Sequence, residues 1–336
     1  MSETKPVDLV LSGGGVKGIA LVGSVAALLD AGYSPHRISG TSAGALVGAV
    51  LAAAAAADEL AVHQLEQLAL SVDYASFLDQ APLERIPLLG PAWGVLSGEG
   101  IYRGDALHAW IEEQLAAYGV RTFADLALDD PHLPPEQRYR LVVNVADVSL
   151  GRLVRLPWDY SSVYGLDPDE QSVADAVRAS TAIPFFFQPA TLTRPDGGES
   201  TLVDGGLLAN YPIYTFDRPD REPPRWPTFG VTLMPSLPDH NEEIFPALRL
   251  LHRVRPPTLM EKVVTTILVG NDQTKLSLPW VAARTIAVDT SDVGVLEFDV
   301  SEHGKAALYD DGYGAARQFL SGWDFEDYQA RFRGPR

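Results

Sequence analysis

The sequence predicts an α/β fold in which a mostly parallel central sheet carries helices on both faces and a serine sits on a sharp elbow between a strand and a helix. Three observations carry that expectation. Short β-prone runs alternate with helix-period runs along the 336-residue chain. A glycine cluster follows the first strand, and the pentapeptide Gly40-Thr41-Ser42-Ala43-Gly44 follows the second.

Taken in order, Val7 to Leu11 is an apolar run of strand length that leads into Ser12-Gly13-Gly14-Gly15-Val16-Lys17-Gly18. The amphipathic run Ile19 to Leu29 then reads as a helix. His36 to Ser39 reads as a second strand, and Ala45 to Ala57 as an apolar, helix-favouring run. Arg140 to Val148 and Leu153 to Leu156 read as strands, Val173 to Ala179 as a helix leading to a turn at Pro184, and Thr228 to Leu233 as a further core strand. Helical patterns occupy Asn241 to Leu251, Leu259 to Val269 and Gly304 to Phe319. Asp129 to Gln137 and Asp217 to Pro227 are rich in proline and charge and read as exposed loops. With no long linker and no repeat, one catalytic domain over residues 5–330 is expected.

Gly40 to Gly44 satisfies G-x-S-x-G, and its small residues let the chain turn sharply enough to lift the Ser42 hydroxyl clear of the backbone. The competing explanation is that Ser42 simply caps the helix that follows. The glycine loop leaves backbone N–H groups bare at the positive end of the next helix, an arrangement that receives an anion, either a phosphate or a transient oxyanion. Gly13, Gly15 and Gly18 match a dinucleotide fingerprint, but His36 to Ser42 holds no acid for a ribose. Ile19 and Ala20 stand where a phosphate-binding P-loop needs Lys and Ser or Thr. A small developing charge therefore suits the loop better than a cofactor, and no cofactor is expected. Leu202-Val203-Asp204-Gly205-Gly206 reads either as a hairpin turn or as a carboxylate presented to a neighbouring loop.

With these three elements in this order, the chain resembles the patatin-like phospholipase family, the lipid acyl hydrolases. GGGVKG at Gly13 to Gly18 is similar to that family's oxyanion motif, with Lys17 at the family's basic position. GTSAG at Gly40 to Gly44 and DGG at Asp204 to Gly206 match its other two motifs, and Ala179 to Pro189 is similar to its A-S-x-A-x-P block. The resemblance covers Val7 to at least Tyr214. It implies a Ser-Asp dyad, with Ser42 as nucleophile and Asp204 as general base. The oxyanion hole implied is built from Gly13, Gly14, Gly15 and Val16; Gly18, Gly40, Gly44, Gly205 and Gly206 support the motifs.

An ordinary aspartate, with a pKa near ~3.9, is ionised at neutral pH and accepts the serine proton only weakly, so the loop carries much of the acceleration. A Ser-His-Asp triad is the internal competitor. Of the seven histidines, His240, His252 and His303 follow Asp204, and none lies in a strand-end or glycine-rich context. An acyltransferase using the same acyl-serine, and a non-catalytic lipid-binding regulatory module, are the alternative functions.

Absence of cysteine excludes disulfides and thiolate metal sites, and no metal motif is present, so no metal is expected in catalysis. The net charge of -18 makes nucleic-acid binding unfavourable and opposes long-range attraction to anionic membranes. The expected partner is a lipid or ester substrate reached by transient membrane contact. The short polar start and the absence of a spanning run predict a cytoplasmic protein, peripheral at membranes. Apolar residues from Ile86 to Leu96 read either as a lipid-access cap or as core cover.

Overall fold

The computed structural model describes residues 4–79, 102–218, 222–234, 276–290, 292–293 and 297–333. The expected helices at 241–251 and 259–269, the segment 86–96, His240 and His252 lie outside the described residues. Eight strands join one sheet: β1 (Lys5–Leu11), β2 (Tyr33–Thr41), β3 (Leu141–Asp147), β4 (Arg152–Leu156), β5 (Ala190–Thr193), β6 (Glu199–Asp204), β7 (Thr228–Met234) and β8 (Thr285–Asp289). Strands β3, β2, β1, β7 and β8 pair in that order and in parallel. The pairings of β3 with β4, β3 with β6 and β5 with β6 are antiparallel.

The parallel strands are continuous apolar runs because both faces of the sheet are covered. Every residue of β3 is buried, as are the last five of β1. Helix α1 (Gly18–Asp30) is buried from Gly18 to Leu28, and α2 (Ala43–Ala56) is buried along most of its length. Alanine fills α2 because a helix enclosed on all sides has room for little more than methyl groups, and alanine has the highest helix propensity. Further helices are α3 (Val62–Ser71), α4 (Asp105–Ala117), α5 (Val173–Ser180), α6 (Gly206–Ala209), α7 (Pro279–Ala282), α8 (Glu302–Ser321) and α9 (Phe325–Phe332). Helix α8 lies along α1, where the Ser24 hydroxyl donates to the Gly312 carbonyl oxygen at 3.0 Å. Among the described residues no helix is long and apolar enough to cross a membrane.

Several strands carry no clear sequence signal. Strand β5 is four residues long, and β8 is a five-residue strand beside β7 at the far end of the parallel run. The described residues of the two proline- and charge-rich segments are mostly exposed, but the segments are tied together. Arg225 donates to both oxygens of the buried Asp130 at 2.5 and 3.3 Å, which holds that carboxyl down at about 2.

Strand order reverses at β1: the chain adds β2 and β3 on one side and later β7 and β8 on the other. The crevice at the carboxyl ends of β1 and its neighbours is where such sheets bind ligands. At the opposite end, Asp8 and Arg37 form a buried two-bond pair across β1 and β2, at 3.1 and 2.5 Å, and Arg37 stacks on Phe216. Removing one partner strands a charge inside the core. Asp8→Ala is expected to cost about 3–5 kcal/mol in urea unfolding, while the apolar pair Asp8→Leu with Arg37→Met costs much less. Equal losses from the two variants would contradict this account of the pair.

Candidate active site

Three chain segments meet at the carboxyl end of the sheet. The first is the elbow. Ser42 joins β2 to α2 with φ 52° and ψ -122°, a conformation that costs a residue with a Cβ about 1–3 kcal/mol. Its carbonyl oxygen opens α2 by accepting from the N–H groups of Ala45 and Leu46, at 2.8 and 3.1 Å. Its hydroxyl caps nothing. The helix-cap explanation therefore fails for the side chain, which is left available for chemistry. The elbow closes because Gly40 and Gly44 lack side chains. A Cβ on Gly40 would lie 2.2 Å from the Gly44 carbonyl oxygen, and one on Gly44 would lie 2.3 Å from that of Leu11.

The second segment is the end of β6. Asn144 and Val145 of β3 pair on one edge with Arg155 and Val154 of β4. On the other edge Asn144 pairs with Thr41 and Val145 with Asp204. Strands β2 and β6 thus approach head to head along one edge of β3, ending on consecutive rungs about 3.3 Å apart. Residues 42 and 204, remote in sequence, become neighbours by this route. The chain after Asp204 turns into α6 rather than a returning strand, so the hairpin reading does not hold.

Asp204 is buried, and burial raises its carboxyl to about 6, well above the ordinary carboxylate value that the sequence suggested. The Ser42 hydroxyl and the Gly206 N–H oppose the rise by favouring the charged form; the N–H reaches Asp204 Oδ1 at 2.7 Å. A carboxylate poised near 6 is a stronger proton acceptor than one near 4 and is still mostly ionised at neutral pH.

The third segment is the glycine loop, which passes through a short 3₁₀ turn (Gly15–Lys17) into α1. Gly15 has φ 59°, the left-handed region open to glycine without steric cost. Gly13 departs from the expected set of donors. Its N–H already donates to the Asn210 carbonyl oxygen at 3.3 Å, leaving Gly14, Gly15 and Val16 as the donors to consider. Lys17 is directed away from the cleft: its buried Nζ donates to the Thr290 carbonyl oxygen at 2.8 Å, beyond the end of β8. Burial lowers its ammonium to about 8 against the opposing pull of Asp289 and Glu297. It ties the loop to the far strand.

Gly15, Val16 and Ser42 line one cleft, whose other walls include Leu46, Tyr74, Phe77, Leu107, Phe187 and Phe298. Burial pushes the Tyr74 phenol well above its ordinary range, so it stays neutral. These wall residues come from five separate stretches of chain, and apart from Phe187, which lies within the Ala179 to Pro189 block, they carry no motif, so no local pattern in the sequence marks them. The described histidines lie elsewhere. His36 packs edge-on to Trp226 and faces Asp130 at 3.4 Å, His108 contacts Asp175, and His63, His132 and His303 are exposed.

A family model for the patatin-like phospholipases matches residues 9–217. The chain belongs to this family. It is 33% identical over 323 residues to YqhO of Bacillus subtilis (strain 168), an uncharacterised protein, covering 95% of this chain and 99% of that one. It is also 23% identical over 325 residues to the uncharacterised protein R571 of Acanthamoeba polyphaga mimivirus, covering 95% of each. Among solved structures, VipD from Legionella pneumophila shares the fold with a TM-score of 0.52 at 18% identity, covering 95% of this chain and 67% of VipD. Family membership makes the chain a member of a lipid hydrolase family, and lipid is the substrate class the family implies.

The closeness of the elbow to β1 can be tested directly. Gly44→Ala places a methyl group against two backbone carbonyl oxygens and is expected to destabilise by at least about 1–3 kcal/mol, lowering the melting temperature. Gly314→Ala on α8 meets nothing within 4 Å and is expected to be neutral or stabilising by up to about 1 kcal/mol. Calorimetric melting curves that fail to separate the two variants would show that the turn tolerates a side chain.

Proposed function

We propose that the protein is a serine acyl hydrolase of the phospholipase A or lipid esterase type, working through an acyl-Ser42 intermediate. The observation that carries this reading is the pairing of a strained serine, whose hydroxyl caps nothing, with a buried carboxylate that the same hydroxyl helps to hold ionised. Ser42 Oγ attacks the acyl carbonyl carbon while its proton passes to Asp204. The developing oxyanion lies against the loop N–H groups of Gly14, Gly15 and Val16, and the apolar cleft takes the acyl chain. Collapse breaks the ester C–O bond, and the leaving alcohol takes the proton from Asp204. Water then attacks the acyl-serine, gives its proton to Asp204, and the acid departs as Ser42 recovers its hydrogen.

Fluorophosphonate labelling followed by peptide mapping tests the nucleophile, and a panel of p-nitrophenyl esters and phospholipids tests the reaction. Ser42→Ala and Asp204→Asn are each expected to lower kcat by about 10³-fold or more, with the double variant little worse than either, because the two residues act as a unit. His→Ala variants are expected to stay active; a folded histidine variant as inactive as Ser42→Ala would sink the dyad.

The raised carboxyl fixes the direction of two pH effects. Activity needs the ionised form, so kcat/KM is expected to fall as pH drops through about 6. Stability runs the other way. The unfolded chain ionises Asp204 around the ordinary carboxylate value of 3.8 while the fold resists ionisation to about 6, so ionisation costs the fold up to about 3 kcal/mol across that window. Asp204→Asn is therefore expected to be inactive yet to melt higher than the parent at pH 8, with the advantage largely gone at pH 4. A parent that melts as high as the variant at pH 8 would contradict the burial argument.

A further inference from the structure

The last residue of α5 and the turn that follows it hold both halves of the pair at once. Ser180, fully buried, accepts the Ser42 N–H on its Oγ at 2.9 Å and donates that hydroxyl to the Asn144 carbonyl oxygen at 2.7 Å. Two residues later the Ala182 carbonyl oxygen accepts the Asp204 N–H at 2.9 Å. The turn itself is stiff: Thr181 Oγ1 bonds back to the carbonyl oxygens of Val177 and Arg178, at 3.1 and 3.0 Å. Thr181 and Ile183 also line the cleft. One three-residue step therefore touches the elbow, the rung of β3 beneath it, the start of the Asp204 turn and the cleft wall.

We infer that Ser180 is a positioning residue for acyl transfer, and that Ser180–Ala182 acts as a two-ended clamp setting Ser42 Oγ against the Asp204 carboxylate. This rests on the dyad reading above. The orientation of the Ser42 peptide fixes the direction of its side chain, and that peptide is held in a strained conformation by the partner of its N–H. Without the Ser180 hydroxyl, a buried N–H and a buried carbonyl group both lose a hydrogen bond, and the elbow is free to relax away from φ 52°. Because Ser180 takes the Ser42 N–H, that group is not an oxyanion donor. Stabilisation of the oxyanion therefore falls to the other N–H groups around it.

The test compares Ser180→Ala, Ser180→Cys and Ser42→Ala with the parent in the full-length chain, on p-nitrophenyl butyrate. Measurements are kcat, KM, the pH dependence of kcat/KM, the rate of fluorophosphonate labelling and the melting temperature. Ser180→Ala is expected to lower kcat and the labelling rate together by about 10- to 100-fold while KM changes less than about 3-fold. The midpoint near pH 6 is expected to rise, because Asp204 loses the Ser42 hydroxyl that favours its charged form. A thiol hydrogen-bonds weakly, so Ser180→Cys is expected to show the same split; it supplies the answer if Ser180→Ala melts below the assay temperature. A folded Ser180 variant with parental kcat, labelling rate and pH midpoint overturns the clamp. So does one whose only change is a lower melting temperature. Turnover retained by Ser42→Ala would instead overturn the dyad reading, a result separable from either outcome at Ser180.

Discussion

The site depends on one constraint in the sheet: a single edge of β3 receives two strands head to head. Hydrogen-bond register allows little slack in such an arrangement, since moving either strand by one residue turns its side chains to the opposite face. With Thr41 opposite Asn144 and Asp204 opposite Val145, a serine just past one strand and a carboxylate ending the other occupy adjoining positions. The full burial of β3 gives that edge its rigidity, because both faces are packed by helices and neighbouring chain. Function at the end of the sheet is thus inherited from the least exposed strand in it.

Around this junction the structure accepts two local costs. Ser42 occupies a left-handed conformation, and Asp204 buries a carboxylate. The first is supported by close backbone packing at Gly40 and Gly44 and by the two hydrogen bonds of Ser180. The second is moderated only in part by Ser42 and the Gly206 N–H, which is why the carboxyl remains near 6 instead of returning to its ordinary value. Strain and desolvation of this kind persist where the surrounding structure over-determines them, and they concentrate at functional sites.

Charge and apolar surface are kept apart. The net charge of -18 is spread over a chain whose described cleft walls are mostly aliphatic and aromatic. Among the described residues that line the cleft, the phenol of Tyr74 stays neutral and no Lys, Arg, Asp or Glu is present. A substrate chain entering it meets burial rather than salt-dependent attraction, which fits a water-insoluble acyl group better than a charged one.

The sequence by itself determined the local parts. Apolar periodicity marked β1, α1, α2, α5 and β7, and three glycine-rich motifs marked Ser42, Asp204 and the loop, because turns and helix starts are encoded by residues close together in the chain. The antiparallel pairing of β5 and β6 and the edge position of β8 were not legible, since short strands take their meaning from partners far away in sequence. For the same reason only the tertiary structure decided that Gly13 has its N–H engaged by Asn210, that Lys17 reaches Thr290, that Ser180 grips Ser42 and that burial lifts Asp204 to about 6. Motifs name the groups that can react; register and burial decide which of them meet and in which charge state.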